Sequence, residues 1–350
     1  MDVPTKELPA SCRCSLRPGR PMNADPARAS LPTISVVTPT LDRPSDVRSL
    51  IQNLAGQRLA PVELVLVDAA PPEMNDTRDV VRALAGTVPF AISYIRRGGG
   101  TAIQRNIGIE AAQGEFVAFI DDDMVLEDDF FKEIMAAFDE DREERVGAIA
   151  GYITNQYLDP TKSPRWRWYR RLNLFTTYEP GMFDFQSGYP INRYLQAPHD
   201  GIREIDFIGA NCAAWRRRVF TEGLRFSPFF IDYGVVEDAH LALSARRLGW
   251  KIWEAGKARC RHMHSPRGRV SKRSVARKTA VNYRFLFVDI VPNRSLSQEF
   301  RFWRVQLVDL IRQAAWAARN GGREEWAAAF GKMEGIIAAT RVRAGAASPP

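Results

Sequence analysis

Short apolar runs alternate with helix-like segments from Leu31 onward, and this alternation limits the fold more than any other feature of the sequence. Four runs are typical of buried β-strands: Ile34–Thr38, Leu64–Asp68, Ile92–Ile95 and Phe116–Ile120. Between them lie three segments with a plausible N-terminal cap and helical spacing: Ser45–Gln57, Asp76–Gly86 and Thr101–Gln113. Such alternation predicts parallel strands joined by right-handed crossovers. We therefore expect an α/β protein with a doubly wound, mostly parallel sheet and helices on both faces.

Three regions follow from the change of pattern along the chain. Residues 1–30 contain five prolines and scattered charges instead of the continuous apolar core of a signal peptide, so we expect a mobile tail. The α/β pattern covers residues 31–266, with a helix expected at Glu237–Leu248 and a strand through Lys251–Trp253. Within it, residues 157–198 are rich in Trp, Tyr and Arg side chains that could line a pocket. Residues 267–350 form a basic helical extension, in which Gln298–Arg319 is amphipathic.

Charge and composition restrict the class of protein. The 49 Lys and Arg residues outnumber the 41 Asp and Glu residues, which gives a net charge of +8 and favours a polyanionic partner: nucleic acid, anionic lipid or a phosphorylated substrate. No apolar run approaches the ~18 residues of a membrane-spanning helix, so we do not expect an integral membrane protein, and a role at a membrane surface stays open. The four cysteines match neither a disulfide framework nor a paired zinc motif, and we expect a cytoplasmic protein.

Polar residues follow each of the four predicted strands. They are Pro39–Asp42, Asp68, Arg96–Gly100 and Asp121–Asp123. Ligands of doubly wound sheets bind at the carboxyl ends of the strands, so these four segments are expected to converge on one binding edge.

The three consecutive aspartates at 121–123 are the first candidate for chemistry. Carboxylates this close raise one another's pKa unless a cation neutralises them. Oxygen ligands with open coordination positions suit Mg²⁺ or Mn²⁺, which would bridge to the diphosphate of a nucleotide. The alternative is a solvated acidic turn before a helix that begins near Asp128.

Other candidates have equally plain alternatives. Glu237 and Asp238 open a predicted helix, where acidic residues also serve as simple partners of the helix dipole. His262 and His264 are two residues apart on a predicted strand and would point to the same face as metal ligands, although unligated histidines are commoner. The run Gly98–Gly100 could bring backbone close to a phosphate or form a tight turn. Arg97, Arg105 and Asn106 could donate to a phosphate or a base, or lie on the surface.

Taken together in their order along the chain, these motifs resemble those of the family 2 glycosyltransferases, which are nucleotide-sugar enzymes of the GT-A fold. The resemblance covers residues 31–266 and rests on Ser35–Thr40, Arg105-Asn106-x-Gly108, Phe119–Asp123, Gly209–Asn211 with Trp215–Arg217, Glu237-Asp238-x-x-Leu241, and Ala258-x-x-x-His262. Two departures lie near the expected base pocket: Asp42 replaces a frequent Asn, and Ala69–Pro72 replaces a small polar turn.

The resemblance implies a role for each matching residue. Asp68 would approach the base, Asp121 the nucleoside, and Asp123 the metal, with His262 and then His264 as further metal or diphosphate ligands. Asp238 would be the general base and Glu237 an acceptor or supporting contact. The expected nucleotide-sugar site comprises Thr38, Pro39, Thr40, Asp42, Asp68, Arg97, Gly98, Arg105, Asn106, Asp121 and Asp122. The expected acceptor side comprises Asn211, Trp215 and Arg216.

We therefore predict a Mg²⁺- or Mn²⁺-dependent inverting transferase that moves a sugar from a nucleotide sugar, expected to be a UDP-sugar, to a carbohydrate or lipid-linked acceptor. The basic extension suggests a peripheral position at the anionic inner face of the cell membrane, unless its helix simply packs on the domain. A sugar-phosphate nucleotidyltransferase is the enzymatic alternative, but residues 38–44 lack its expected Gly-rich basic loop. The alternative from a different class is a nucleic-acid-binding protein that uses the basic C-terminal region. No zinc-finger or RNP-like motif accompanies these basic residues, so no nucleic acid partner is expected.

Overall fold

The computed structural model describes residues 31–209, 211–231, 234–265 and 270–349. From Pro32 onward the described residues cluster into one compact unit. The predicted tail at 1–30, Cys12, Cys14 and the expected boundary at 266 lie outside the described residues.

The described residues contain eleven strands, ten α-helices and one 3₁₀ helix. The strands are β1 (Ile34–Thr40), β2 (Glu63–Asp68), β3 (Ala91–Arg96), β4 (Phe116–Ile120), β5 (Met124–Leu126), β6 (Val146–Ile153), β7 (Phe183–Asp184), β8 (Tyr189–Pro190), β9 (Ile202–Ile205), β10 (Cys212–Arg216) and β11 (Lys251–His262). The helices are α1 (Pro44–Ala55), α2 (Asp76–Leu84), α3 (Thr101–Ala111), α4 (Phe130–Asp139), α5 (Pro164–Arg171), α6 (Arg217–Thr221), α7 (Glu237–Arg247), α8 (Lys272–Ile290), α9 (Leu296–Asn320) and α10 (Arg323–Ala339), with the 3₁₀ helix η1 at Arg193–Leu195.

A single mixed sheet forms the centre, in the order β3-β2-β1-β4-β10-β6-β11-β5, and β9 pairs with β11. Strands β1 to β4 pair in parallel, as do β6 and β11. Strand β10 runs antiparallel between β4 and β6. The predicted α/β class, with a mostly parallel sheet and C-terminal helices, is confirmed; the antiparallel strand β10 was not predicted.

Both faces of the sheet are buried, which explains the nearly continuous apolar runs in the sequence. Strand β1 is buried at all seven residues. Its Val37 belongs to a core cluster with residues of α3, α7 and α8, whereas its neighbour Val36 belongs to a second cluster with residues of α1 and α4. Alternate side chains thus serve opposite faces, and helices cover each of them.

The C-terminal helices pack on this core through aromatic rings. Phe285 of α8 stacks on Phe229 with a centroid distance of 3.8 Å, and Phe287 stacks on Phe302 of α9 at 5.2 Å. Among the described helices, none has the length and apolar character needed to cross a bilayer.

Candidate active site

The carboxyl edge of the sheet collects the polar residues that the sequence pointed to. Thr40 at the end of β1 is in register with Asp68 at the end of β2. The buried side chain of Gln104 on α3 donates to the carbonyl oxygens of Thr40 and Val67, at 2.9 and 2.7 Å. Gln104 therefore holds the two strand ends together. Sequence analysis did not identify it, because a lone glutamine on a helix carries no distinctive pattern.

Asp68 is fully buried and shapes the turn after β2. Its carboxylate accepts hydrogen bonds from the backbone N–H groups of Asp42 and Ala70, at 3.3 and 2.9 Å, and from the Tyr94 hydroxyl at 2.8 Å. Asp42 itself has a left-handed backbone, with φ of 48°. Asp68 thus fixes the loops on both sides of the expected base pocket, and its contact with a base stays a prediction.

The three aspartates after β4 have three different environments. Asp121 accepts a hydrogen bond from Arg105 at 2.9 Å and keeps 28% of its side chain exposed. Asp122 is buried, accepting from the Thr40 hydroxyl at 2.6 Å and from Arg43 at 2.8 Å. Burial raises the pKa of Asp122 to about 7. The middle carboxylate therefore belongs to the interior, while its proposed contact with a nucleotide stays untested.

Asp123 contacts the late strand β11. Its carboxylate lies 3.1 Å from Nε2 of His262 and accepts a hydrogen bond from the backbone N–H of Ser265 at 2.9 Å. Although burial works to raise it, the hydrogen bond and charge of His262 lower the pKa of Asp123. Asp123 and His262 are thus brought together as the sequence predicted.

The two histidines are neighbours, although His264 lies beyond the end of β11. Their rings are 3.9 Å apart, and the side-chain nitrogen of Gln156 lies 2.9 Å from both Nδ1 of His262 and Nε2 of His264. Within the described residues, no group of three His, Cys, Asp or Glu side chains is arranged to hold a metal ion by itself. The chemistry of Asp123 and His262 fits a divalent cation only if a bound ligand supplies further donors.

Arg105 on α3 connects Asp121, which follows β4, with Glu237, which opens α7. Its guanidinium is 4% exposed and donates to Asp121 and to Glu237, both at 2.9 Å. The Phe226 ring packs against it at 5.6 Å. Burial opposes its charge, but Asp121 and Glu237 outweigh this and raise the pKa of Arg105. A permanent buried cation therefore ties the end of β4 to the start of α7.

Glu237 and Asp238 occupy the first turn of α7 and point to different partners. Glu237 is buried and also accepts from the Thr101 hydroxyl at 3.1 Å. Asp238 is half-buried and lines a cavity of about 220 Å³. The preceding Val236 has φ of 64°, a strained value for a β-branched residue. Of the two acids, Asp238 is the one with access to a ligand-sized space.

Half of the described residues that line the cavity come from the aromatic segment at 157–198, as the sequence suggested. Its lining includes Trp166 of α5, Tyr189 of β8 and Tyr194 of η1, together with Tyr283 of α8. Sequence analysis identified the segment but not Tyr283, because no local pattern marks which face of α8 meets it.

Several predicted site residues act as supports instead of facing this edge. Thr38 donates to the carbonyl oxygen of Ile120 at 2.7 Å. Asn106 makes a two-way amide contact with the backbone of Phe226, both bonds at 2.9 Å. Asn211 accepts from the backbone N–H of Asp121 at 3.3 Å. These contacts position the loops of the site.

The remaining predicted residues are more distant or more open. Because β10 is antiparallel to β4, Asn211 lies just before β10 at the carboxyl edge, whereas Arg216 pairs with Phe116 at the opposite end of β4. Trp215 is buried in the core, so the structure does not bring Trp215 or Arg216 to the site. Arg97 and Gly98 are exposed in the turn after β3. Pro39 is buried within β1.

The described residues have the GT-A fold, which two solved structures share. The mannosyltransferase PcManGT from Pyrobaculum calidifontis, solved with GDP-Man and Mn²⁺, superposes with a TM-score of 0.55 and 15% identity, over 92% of this chain and 91% of its own. The crystal structure of GalNAc-T7 with UDP, GalNAc and Mn²⁺ superposes with a TM-score of 0.52 and 15% identity. The match covers 75% of this chain and 51% of the GalNAc-T7 chain.

A family model described as "Glycosyltransferase like family 2" matches residues 32–281, and the chain belongs to that family. Among curated relatives, the uncharacterized glycosyltransferase YwdF of Bacillus subtilis (strain 168) is 27% identical over 198 residues, which are 52% of this chain and 65% of YwdF. The poly(ribitol-phosphate) beta-N-acetylglucosaminyltransferase TarS of Staphylococcus aureus (strain MW2) is 27% identical over 107 residues, 30% of this chain and 19% of TarS. The chain thus spans less than two thirds of these relatives.

Proposed function

We propose that this chain transfers one sugar from a nucleotide sugar, with a UDP-sugar as the expected donor, to an acceptor hydroxyl with inversion at the anomeric carbon. The observation that carries this is the Arg105 bridge, since it holds the acid after β4 against the acids that open α7. Transfer needs a donor diphosphate on one side and a proton acceptor on the other. The acids that would serve these two purposes lie together at the carboxyl edge of the sheet.

The donor half of the proposal involves a divalent cation. Asp123 and His262 would hold Mg²⁺ or Mn²⁺ together with the donor's diphosphate, and His264 lies beside them. Such a cation neutralises charge on the departing nucleoside diphosphate. Two solved neighbours that contain Mn²⁺ with a nucleotide or nucleotide sugar support this.

The acceptor half assigns proton removal to Asp238. Its carboxylate lies beside the cavity, where an acceptor hydroxyl can approach. Glu237 keeps its bonds to Arg105 and Thr101, so it orients the start of α7 without itself taking the proton. Attack from the cavity side, opposite the departing diphosphate, inverts the anomeric centre. The acceptor is a carbohydrate or a lipid-linked carbohydrate.

We also propose that the C-terminal helices rest on an anionic membrane surface at the cytoplasmic side. Residues 270–349 contain 14 Lys or Arg and six Asp or Glu, an excess equal to the +8 of the whole chain. Several large apolar side chains of α9 and α10 are exposed beside this charge, including Phe300 at 67% and Ile311 at 59%. Basic residues and exposed apolar side chains together favour an anionic lipid surface.

Hydrolysis of nucleotide sugars in the absence of acceptor tests the catalytic proposal. UDP- and GDP-sugars are incubated with the full chain and Mg²⁺, Mn²⁺ or EDTA, and released nucleotide is measured. We expect release of UDP with a divalent cation, and its loss with EDTA or in Asp123→Ala. Asp139→Ala, an exposed acid on α4, is the matched control and should behave as wild type. Activity that persists with EDTA removes the cation from the proposal. A parallel incubation with added pyrophosphate that yields nucleoside triphosphate and sugar 1-phosphate, instead of nucleoside diphosphate, would favour a nucleotidyltransferase.

A further inference from the structure

The cavity beside Asp238 contains two arginines, Arg165 and Arg193, and of these two Arg193 is the one that is hydrogen-bonded to a carboxylate. Arg193 is buried and donates to Glu254 at 3.1 Å and to the carbonyl oxygen of Gly151 at 3.0 Å. Arg193 thus contacts a buried carboxylate directly, although Glu254 also pairs with Arg203 at 3.0 Å. Arg165 on α5 lines the same cavity, and its side chain remains 41% exposed. The chemistry of the cavity therefore depends on what meets Arg165.

The hydrogen-bond partners of Arg165 are neutral. Its Nε donates to the Tyr169 hydroxyl at 2.9 Å and one terminal nitrogen donates to the Tyr189 hydroxyl at 2.6 Å. The nearest carboxylate, Asp309, is 3.9 Å away. Two phenols fix the direction of the guanidinium without removing its charge, because a neutral hydroxyl only accepts a hydrogen bond.

Asp309 cannot balance Arg165 alone, since two other cations already share it. Arg312 lies 2.7 Å and Lys332 3.3 Å from its carboxylate oxygens. Three positive side chains thus surround one negative one where α5, α9 and α10 meet. The most exposed of the three is Arg165, with 41% of its side chain accessible against 34% for Arg312 and 4% for Lys332. The excess positive charge is therefore presented to the cavity.

The rest of the wall suits a sugar ring. Trp166, Tyr189, Tyr194 and Tyr283 supply aromatic surface, against which the apolar face of a sugar can pack. The volume of about 220 Å³ lies below the roughly 300–1,000 Å³ of pockets for drug-sized ligands, so it fits a single sugar residue. Asp238 is the acidic side chain among the described lining residues. In the proposed function it accepts the proton of the reacting hydroxyl.

We propose that this cavity selects an acceptor sugar that carries an anionic group, a carboxylate or a phosphate, and that Arg165 binds this anion while the reacting hydroxyl faces Asp238. The inference rests on the proposed function and adds the substrate class. Charge-assisted bonds from a planar guanidinium to carboxylate or phosphate are strong and directional. Held at two points, the sugar would present one hydroxyl to the base.

Binding of three simple probes tests the inference: glucose, glucuronate and glucose 6-phosphate. Dissociation constants are measured by saturation-transfer NMR with the full chain, in saturating UDP and Mn²⁺ so that the donor side is filled. We expect the two anionic sugars, or one of them, to bind roughly tenfold or more tightly than glucose. Arg165→Gln should abolish this preference, whereas Arg165→Lys should keep part of it. Arg167→Gln, the same change at an exposed position of α5, should keep it fully.

Several results would overturn the inference. One is equal binding of all three probes, and another is an unchanged preference in Arg165→Gln. A preference that exists only without UDP would assign Arg165 to the donor diphosphate instead. If Arg165→Gln does not fold, the salt dependence of binding to wild type decides. The affinity for the anionic probes must then fall between 50 and 500 mM NaCl, while the affinity for glucose stays the same. Donor hydrolysis by wild type, measured in parallel, separates this failure from failure of the proposed function.

Discussion

Arg105 illustrates at the scale of one residue how the site couples its two halves. A buried guanidinium with two carboxylate partners can be replaced neither by a shorter cation nor by a neutral amide without leaving a charge unpaired. Because Asp121 and Glu237 come from different elements, the loss should affect both donor binding and transfer.

Arg105→Gln is therefore expected to lower the free energy of unfolding by about 3 kcal/mol and to raise KM for the donor. Arg105→Lys should be intermediate, since one ammonium cannot span both acids. Urea denaturation and initial-rate kinetics measure the two effects. The control is Arg58→Gln, which loses only an exposed pair with Asp129 and should cost less than ~1 kcal/mol. Equal stability of the Arg105 and Arg58 variants would show that the bridge contributes nothing.

Asp238→Asn separates chemistry from binding. The amide preserves the shape of the side chain but cannot take the acceptor's proton, so kcat should fall by at least ~10²-fold while donor KM changes little. Asp200→Asn, an acid with 68% of its side chain exposed, is the control. Near-normal turnover in Asp238→Asn would leave Asp238 as a helix-start residue and direct the search for the base to Glu237.

Single residues were predictable from the sequence where a motif names them, but their directions were not. The sequence does not distinguish the three adjacent aspartates. In the structure, the side chain of Asp122 points into the interior, whereas Asp121 and Asp123 contact partners on other elements. Gln104 and Arg165 carry no motif at all. Their roles arise from tertiary contacts between segments that are distant in the chain, and these cannot be read from spacing.

At the scale of elements, strands β1, β2 and β4 were predicted closely because nearly all of their residues are buried, whereas β5 and β6 were not predicted. Strand β4 was placed at Phe116–Ile120, where the structure has it. Strand β11 is longer than expected, reaching from Lys251 to His262, since pairing with three neighbours extends it beyond its apolar start. Strand β10 was missed because its direction depends on a tertiary insertion between β4 and β6.

The junction of α9, α10 and α5 gives a pH prediction at the same scale. Although burial works to raise it, the charges of Lys332, Arg165 and Arg312 hold the pKa of Asp309 well below its usual range. The ionised Asp309 therefore stabilises the fold above the unfolded-state pKa near ~4, and this contribution is lost as the pH falls toward the lower folded-state pKa.

We expect Asp309→Asn to lower the free energy of unfolding by about 3 kcal/mol at pH 7, because it leaves Lys332 buried beside fewer counter-charges. The difference from wild type should shrink below about pH 4. Urea denaturation at pH 7, 5 and 3.5 measures it, with the exposed Asp139→Asn as control. A difference that is the same at all three values would contradict the assigned pKa shift.

For the whole molecule, the distribution of charge and apolar surface supports the proposed position at a membrane surface. The excess of basic residues lies in 270–349, and both long helices there expose apolar stripes. On α9 the stripe is Leu296, Phe300, Leu307 and Ile311, and on α10 it is Trp326, Phe330, Met333 and Ile337. Each set recurs at intervals of three, four or seven residues, so its members share one helix face. The opposite faces carry the packing, as the buried residues Phe302 of α9 and Gly335 of α10 show.

This arrangement predicts salt-sensitive binding to anionic membranes. Each Lys or Arg near an anionic leaflet contributes ~1 kcal/mol, and inserted apolar side chains add their burial. Wild type should co-sediment with vesicles of phosphatidylcholine and phosphatidylglycerol, less at 500 than at 50 mM NaCl, and weakly with phosphatidylcholine alone. The double variant Phe300→Gln/Ile311→Gln should bind the anionic vesicles at least roughly tenfold more weakly than wild type. Leu248 is 59% exposed on the loop after α7, and the control variant Leu248→Gln should bind them as wild type does. Equal binding to both vesicles, or to neither, would assign the stripes to another partner and turn the acceptor search toward soluble molecules.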